Sequence, residues 1–213
     1  MAVKVSAADV KALRDMTGAG PLDCKNALVE NDGDLEKAAE ALRQKGIAKA
    51  VKKLGKGRTM NEGKVEIYQH HDGRLGAMVE INCETDFVAK NEAFQRFAKD
   101  VALHISSMKP EYISRADIPQ ADIDAQKVAL SAMDDLDGKP DNIKEKIVEG
   151  RLEKWYQEKV LMEQEFLKDD SKTVGQLLEE TVAELGESMQ IGRFSRFALG
   201  EYGDDAEEDG DEE

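Results

Sequence analysis

A chain of 213 residues, 40% of them apolar, is long enough for one large or two smaller domains with a real hydrophobic core. Its formal charge of −15, its 5% aromatic content and its lack of a long basic block disfavour nucleic acid as the main partner, because phosphate neutralisation by Lys and Arg supplies most of that affinity. No apolar run is long enough to span a bilayer and Met1–Val5 lacks the apolar core of a signal peptide, so no membrane partner and a cytoplasmic address are expected.

The charge is unevenly spread. Residues 1–58 carry 12 Lys and Arg against 8 Asp and Glu, residues 59–200 carry 18 against 28, and residues 201–213 carry 9 acids and no base. Cys24 and Cys83 lie far apart and form no Cys-x-x-Cys pair. They read as small buried hydrophobes rather than a disulfide framework or zinc ribbon.

In chain order, residues 1–46 read as a three-helix domain. Ser6 caps the first helix, with Asp9 in its first turn, and Val10, Leu13 and Met16 trace one face until Thr17-Gly18-Ala19-Gly20 breaks it. Pro21 opens the second helix at a position where a missing N–H costs nothing, and Leu22, Ala27 and Leu28 are expected to face inward before Asn31-Asp32-Gly33. Asp34 caps the third, whose Leu35, Ala38, Ala39 and Leu42 stripe runs to Gly46. Residues 47–62, rich in Lys and Gly, read as a basic linker.

Residues 63–202 read as an α+β domain. Val65 and Ile67, then Leu75, Ala77, Val79 and Ile81, alternate around Asp72-Gly73, a dipeptide favoured in two-residue hairpin turns. The strand then gives way to Glu84-Thr85-Asp86-Phe87-Val88, a corner before a helix expected to begin near Asn91. An aromatic at such a corner either folds back as a staple over the next helical turn or stands out as an anchor for a partner, and the residues alone leave both open. Phe94, Phe97, Ala98, Val101, Ala102, Ile105 and Met108 form a helical stripe suited to one face of the hairpin. Residues 110–168 read as mainly helical, with helices expected over 121–134 and from about Asn142 to Phe166. Thr173-Val-Gly-Gln176 is a capping box for a helix ending at Gly186, and Met189 to Leu199 alternate as a strand expected to join the hairpin in a small antiparallel sheet. Residues 203–213, an acidic tail, cannot bury enough apolar surface to order themselves.

The chemistry-bearing motifs are sparse. Gly55-Lys56-Gly57 lacks the spacing of a phosphate-binding loop, and no Gly-x-Gly-x-x-Gly or Gly-x-Ser-x-Gly occurs. His70, His71 and His104 do not form a spacing that supports a metal site, so neither metal nor cofactor is expected. An enzyme reading would have to rest on Cys83 or His104, and it is the weakest of the readings.

Two stretches carry a resemblance. Leu13-Arg-Asp-Met-Thr-Gly-Ala-Gly-Pro-Leu-Asp-Cys-Lys-Asn-Ala-Leu28 and Glu80-Ile-Asn-Cys-Glu-Thr-Asp-Phe-Val-Ala-Lys-Asn91 resemble the signatures of the elongation factor Ts family, and Lys172–Gln176 and Arg193–Gly200 resemble its C-terminal segment. The likeness covers about 3–108 and 160–201, and it is that of a short member with one hairpin-plus-helix core unit. It implies an α+β fold behind a three-helix domain similar to ubiquitin-associated folds, and guanine-nucleotide exchange on elongation factor Tu, bound both with GDP and free of nucleotide. It also implies that Thr85, Asp86, Phe87 and Val88 push in near the magnesium site of the GTPase. Arg14, Pro21, Leu22 and Lys25 would grip the same partner, with Pro21 standing where the pattern often has a flexible apolar residue such as Met. The single core unit leaves open a homodimer. The alternative function is a protein-binding module of the same architecture without effect on any nucleotide.

Overall fold

The computed structural model describes residues 5–54, 60–136 and 138–201. The basic Gly-Lys run at 55–59 and the expected acidic tail lie outside the described residues. The architecture is α+β, and packing divides the chain into two compact units, 1–63 with 82–95 and 178–190, and 64–81 with 96–177 and 191–213.

The first unit opens with α1 (Ala7–Thr17), α2 (Pro21–Glu30) and α3 (Leu35–Leu54). Their boundaries follow backbone chemistry. Ser6 and Asp9 form a reciprocal capping box, Gly18 ends α1 in the left-handed region at φ 66°, and Pro21 occupies the first turn of α2. Asp34 accepts from the N–H groups of Glu36 and Lys37, both at 3.0 Å, and those bonds hold its carboxyl below the usual range. Leu13, Cys24, Ala27, Leu28, Ala38 and Leu42 make the core of this bundle.

Three expectations are corrected here. Met16 and Leu22 do not face inward; they are 62% and 72% exposed, and Cys24 fills the place in the core expected for Leu22. The third helix does not stop at Gly46 but continues to Leu54, because Ala and Lys in 48–53 are good helix formers even though they also resemble a linker in composition. Gly46 itself serves close packing, since a Cβ there would lie 3.4 Å from the Ala183 Cβ.

The sheet consists of β1 (Glu62–Gln69), β2 (Leu75–Cys83) and β5 (Met189–Ala198), in the order β1-β2-β5, and most of its residues belong to the second unit. The closing strand joins the hairpin as expected. The hairpin connection is longer than the expected two-residue turn, running from His70 to Arg74 with Gly73 left-handed at φ 70°. In β1, Val65 and Ile67 are exposed, at 52% and 64%, while Ala77, Val79 and Ile81 of β2 are buried. Between these elements α4 (Asp86–Ala89) and α5 (Glu92–Met108) follow β2, and Asn91 accepts from the Ala93 N–H at 2.8 Å. In α5, Phe97, Ala98, Val101, Ala102 and Ile105 are buried, and Arg196 of β5 donates to the Ser106 carbonyl at 2.9 Å.

Beyond α5 the chain forms α6 (Gln120–Ser131) and α7 (Asp141–Lys159), whose shared core is Ile118, Leu130, Leu152, Tyr156 and Val160. The long helix ends at Lys159 rather than near Phe166, because Val160 turns extended and bridges Tyr112. Leu161 N–H completes that bridge by donating to the Tyr112 carbonyl at 2.8 Å. A small hairpin of β3 (Glu165–Phe166) and β4 (Asp169–Thr173) follows, which the sequence did not predict. Thr173 and Gln176 then form the expected capping box at the start of α8 (Val174–Leu185).

Candidate functional site

The corner after β2 is built from alternately buried and exposed side chains. Cys83 and Val88 are buried, and between them Phe87 is 81% exposed. The staple alternative is therefore not realised: the ring lies in solvent on the single turn of α4. Thr85 is the N-cap, accepting the Val88 N–H at 3.4 Å. Asp86 pairs with Lys90 at 2.7 Å, one turn on, and this hydrogen bond holds its carboxyl below the ordinary value. A carboxylate and an aromatic ring thus leave the protein side by side on one turn.

Two contacts that no sequence pattern could reveal fix this turn. The Thr85 hydroxyl donates to Glu187 Oε2 at 2.9 Å, and the Ser188 N–H donates to Glu84 Oε1 at 3.0 Å. Glu187 and Ser188 follow Gly186, which ends α8 in the left-handed region at φ 73°. Further back, α8 meets α3 where Arg43 donates to Glu180 at 3.0 Å and where Gly46 faces Ala183. The three-helix bundle and the Thr85–Val88 turn therefore belong to one compact unit, linked through residues 178–190.

The other predicted residues lie in the bundle. Arg14 is exposed in the last turn of α1, and Pro21, Leu22 and Lys25 are exposed along the start of α2. Met16 and Val29 add apolar surface to the same two helices. Leu22, misread as core from its spacing, is instead one of the most exposed apolar side chains of this unit. A small bundle cannot cover all its apolar side chains, and Met16, Leu22 and Val29 stay exposed on the two helices that also carry Arg14 and Lys25.

Neither residue on which an enzyme reading would rest is presented to solvent. Cys83 is fully buried; its thiol donates to the Thr85 carbonyl and is pushed up mainly by burial. His104 is also fully buried, with the Leu167 N–H donating to its Nδ1 at 3.2 Å and its Nε2 lying 2.9 Å from Gln164 Oε1. The accepting Nδ1 fixes the tautomer, so the Nε2 proton goes to Gln164. Among the described residues, no three His, Cys, Asp or Glu side chains come together as metal ligands, and no helix is long and apolar enough to cross a membrane.

Comparison with known proteins agrees with the reading of the motifs. The family described as Elongation factor TS matches residues 23–201. An Elongation factor Ts of Caldanaerobacter subterraneus subsp. tengcongensis is 53% identical over 197 residues, covering 92% of this chain and 98% of the relative. One from Acetivibrio thermocellus is 54% identical over 197 residues, with 92% and 91% covered, and one from Geobacter sulfurreducens is 50% identical over 199 residues, with 93% and 91% covered.

Proposed function

This chain belongs to the elongation factor Ts family, whose role is in translation elongation, and from that premise we propose that it is a guanine-nucleotide exchange factor for elongation factor Tu. It acts in the cytoplasm by binding, with no covalent chemistry and no cofactor of its own. The observation that carries this reading is the 81% exposed Phe87 beside Asp86, on a turn held from both sides by buried residues. An exposed ring on a fixed turn can be driven into a partner without first being ordered, so its burial energy goes into the complex.

The mechanism is competition for the GTPase conformation. Thr85 to Val88 enter near the magnesium site and displace the elements that hold Mg²⁺ and the β-phosphate, while Arg14, Pro21, Leu22 and Lys25 grip the same partner. Accelerating release by about 10⁴ requires roughly 5.5 kcal/mol of preference for the open state. Burying one Phe supplies only about 1.5–3 kcal/mol. The remainder must come from the bundle surface, and the location of both groups in one compact unit supports their acting together. Reciprocity then makes bound GDP weaken the grip of this chain by the same factor as the chain weakens GDP. Calorimetric titration of elongation factor Tu with and without GDP tests this. A much weaker affinity in the presence of GDP is expected, whereas equal affinities would favour a plain binding module.

The second copy needed for a homodimer is a further part of the proposal. Val65, Ile67, Met78 and Phe197 are exposed apolar side chains on the strands of the sheet, with Val65 and Met78 lining one shallow groove beside the Arg193–Glu80 pair. A strictly monomeric mass in sedimentation, alone and with partner, would contradict self-association.

A further inference from the structure

A four-residue helix has no stability of its own, since the first hydrogen-bonded turn costs more order than one bond returns. The turn Asp86–Ala89 must therefore be held from outside. Its N-cap bond, Val88 N–H to the Thr85 hydroxyl oxygen, is long at 3.4 Å. The same hydroxyl spends its proton on Glu187 at 2.9 Å, which leaves its oxygen lone pairs directed to the Val88 N–H. One residue back the roles reverse, with the Glu84 carboxylate accepting the Ser188 N–H. The two segments thus accept and donate reciprocally, although 102 residues separate Thr85 from Glu187 in the chain.

Two features of its surroundings disfavour a carboxylate at position 187. It follows directly on the C-terminal end of α8, where the helix presents partial negative charge. It also adds to the forces that raise the buried Cys83 thiol. We propose that Glu187 is a positioning residue for nucleotide exchange: through Thr85, with Glu84 and Ser188 as the second strap, it fixes the direction in which Asp86 and Phe87 leave the protein. This deepens the exchange reading above and rests on it. Glu187 sets how fast the bound complex releases nucleotide.

The test uses the full chain with Glu187→Ala and Glu187→Gln, the latter keeping an acceptor for the Thr85 hydroxyl. Three quantities are read: the thermal midpoint, the GDP-release rate from elongation factor Tu against protein concentration, and amide hydrogen exchange of residues 86–91 in the free protein. Glu187→Ala should speed amide exchange in 86–91 and lower the maximal release rate roughly tenfold, the loss expected for one charge-assisted hydrogen bond. The half-saturating concentration should change much less, and Glu187→Gln should recover most of the rate. Wild-type protection of 86–91 in Glu187→Ala, or a loss confined to the half-saturating concentration, overturns the positioning role. If wild-type protein fails to accelerate release at all, the exchange reading falls, while amide exchange still decides whether Glu187 holds the turn.

Discussion

Replacing Phe87 by Ala separates what the residue does for the fold from what it does for a partner. Its ring is 81% exposed, so truncation removes little buried area and folding stability should change by less than about 0.5 kcal/mol. The same exposure means that nearly the whole ring remains to be buried in a complex. At about 1.5–3 kcal/mol for full burial, its loss should slow nucleotide release by roughly 10- to 150-fold. The assay is stopped-flow release of fluorescent GDP from elongation factor Tu at fixed magnesium, with circular dichroism and a thermal midpoint on the same preparation. Phe87→Leu, which retains much of the apolar area, should fall between the two. Normal release by a well-folded Phe87→Ala protein would refute the wedge, and unfolding of that variant would refute the exposure argument. Val88, one position on and 6% exposed, provides the contrast: Val88→Ala should cost about 1.5–3 kcal/mol of stability.

Burial lowers the proton affinity of His104 below the ordinary histidine value near 6.5, against a weaker opposing pull from Gln164. The unfolded chain then protonates first on acidification, so the contribution is fully present above about 6.5 and is lost as pH falls toward the lower folded value. Urea midpoints should drop below that pH, and His104→Gln should flatten the dependence; an unchanged slope would contradict the assignment. Gly175→Ala should destabilise by about 1–3 kcal/mol, because the added Cβ would lie 2.8 Å from the Met162 carbonyl oxygen, which is backbone and cannot rotate away. A thermal midpoint equal to wild type would show that the backbone there yields. Arg115 donates to both Glu153 and Glu163 and stacks 4.2 Å from the Tyr156 ring centroid, but its side chain is 43% exposed. After discounting for solvent, Arg115→Ala should cost about 1 kcal/mol in urea unfolding, and a loss of several kcal/mol would mean that the pair network is far less screened than its exposure implies.

Local signals were the legible part of the fold. Ser6 with Asp9, Pro21, Asp34 and Thr173 with Gln176 each satisfy backbone groups within a few residues, so their roles could be read from spacing alone. The errors and the undecided points came where tertiary packing decided between two locally acceptable outcomes. Alternation in β1 showed a strand but not which face would be covered, and Val65 and Ile67 took the exposed one. Helical spacing placed Leu22 on an apolar stripe, but Cys24 was the better fit to the bundle interior. Gly46 looked like a stop, and instead gave α8 close access to α3. At the site, the order of residues showed Phe87 at a corner and left staple and anchor undecided. Glu187 and Ser188 were invisible because their partners lie about a hundred residues away and neither pair follows a local period.

The most direct test of the exchange function is the rate of fluorescent GDP release from elongation factor Tu, measured with increasing amounts of this protein at matched free magnesium. Release that accelerates with added protein and saturates is the predicted result. An unchanged rate at concentrations where complex formation is demonstrated would contradict exchange and leave a binding module.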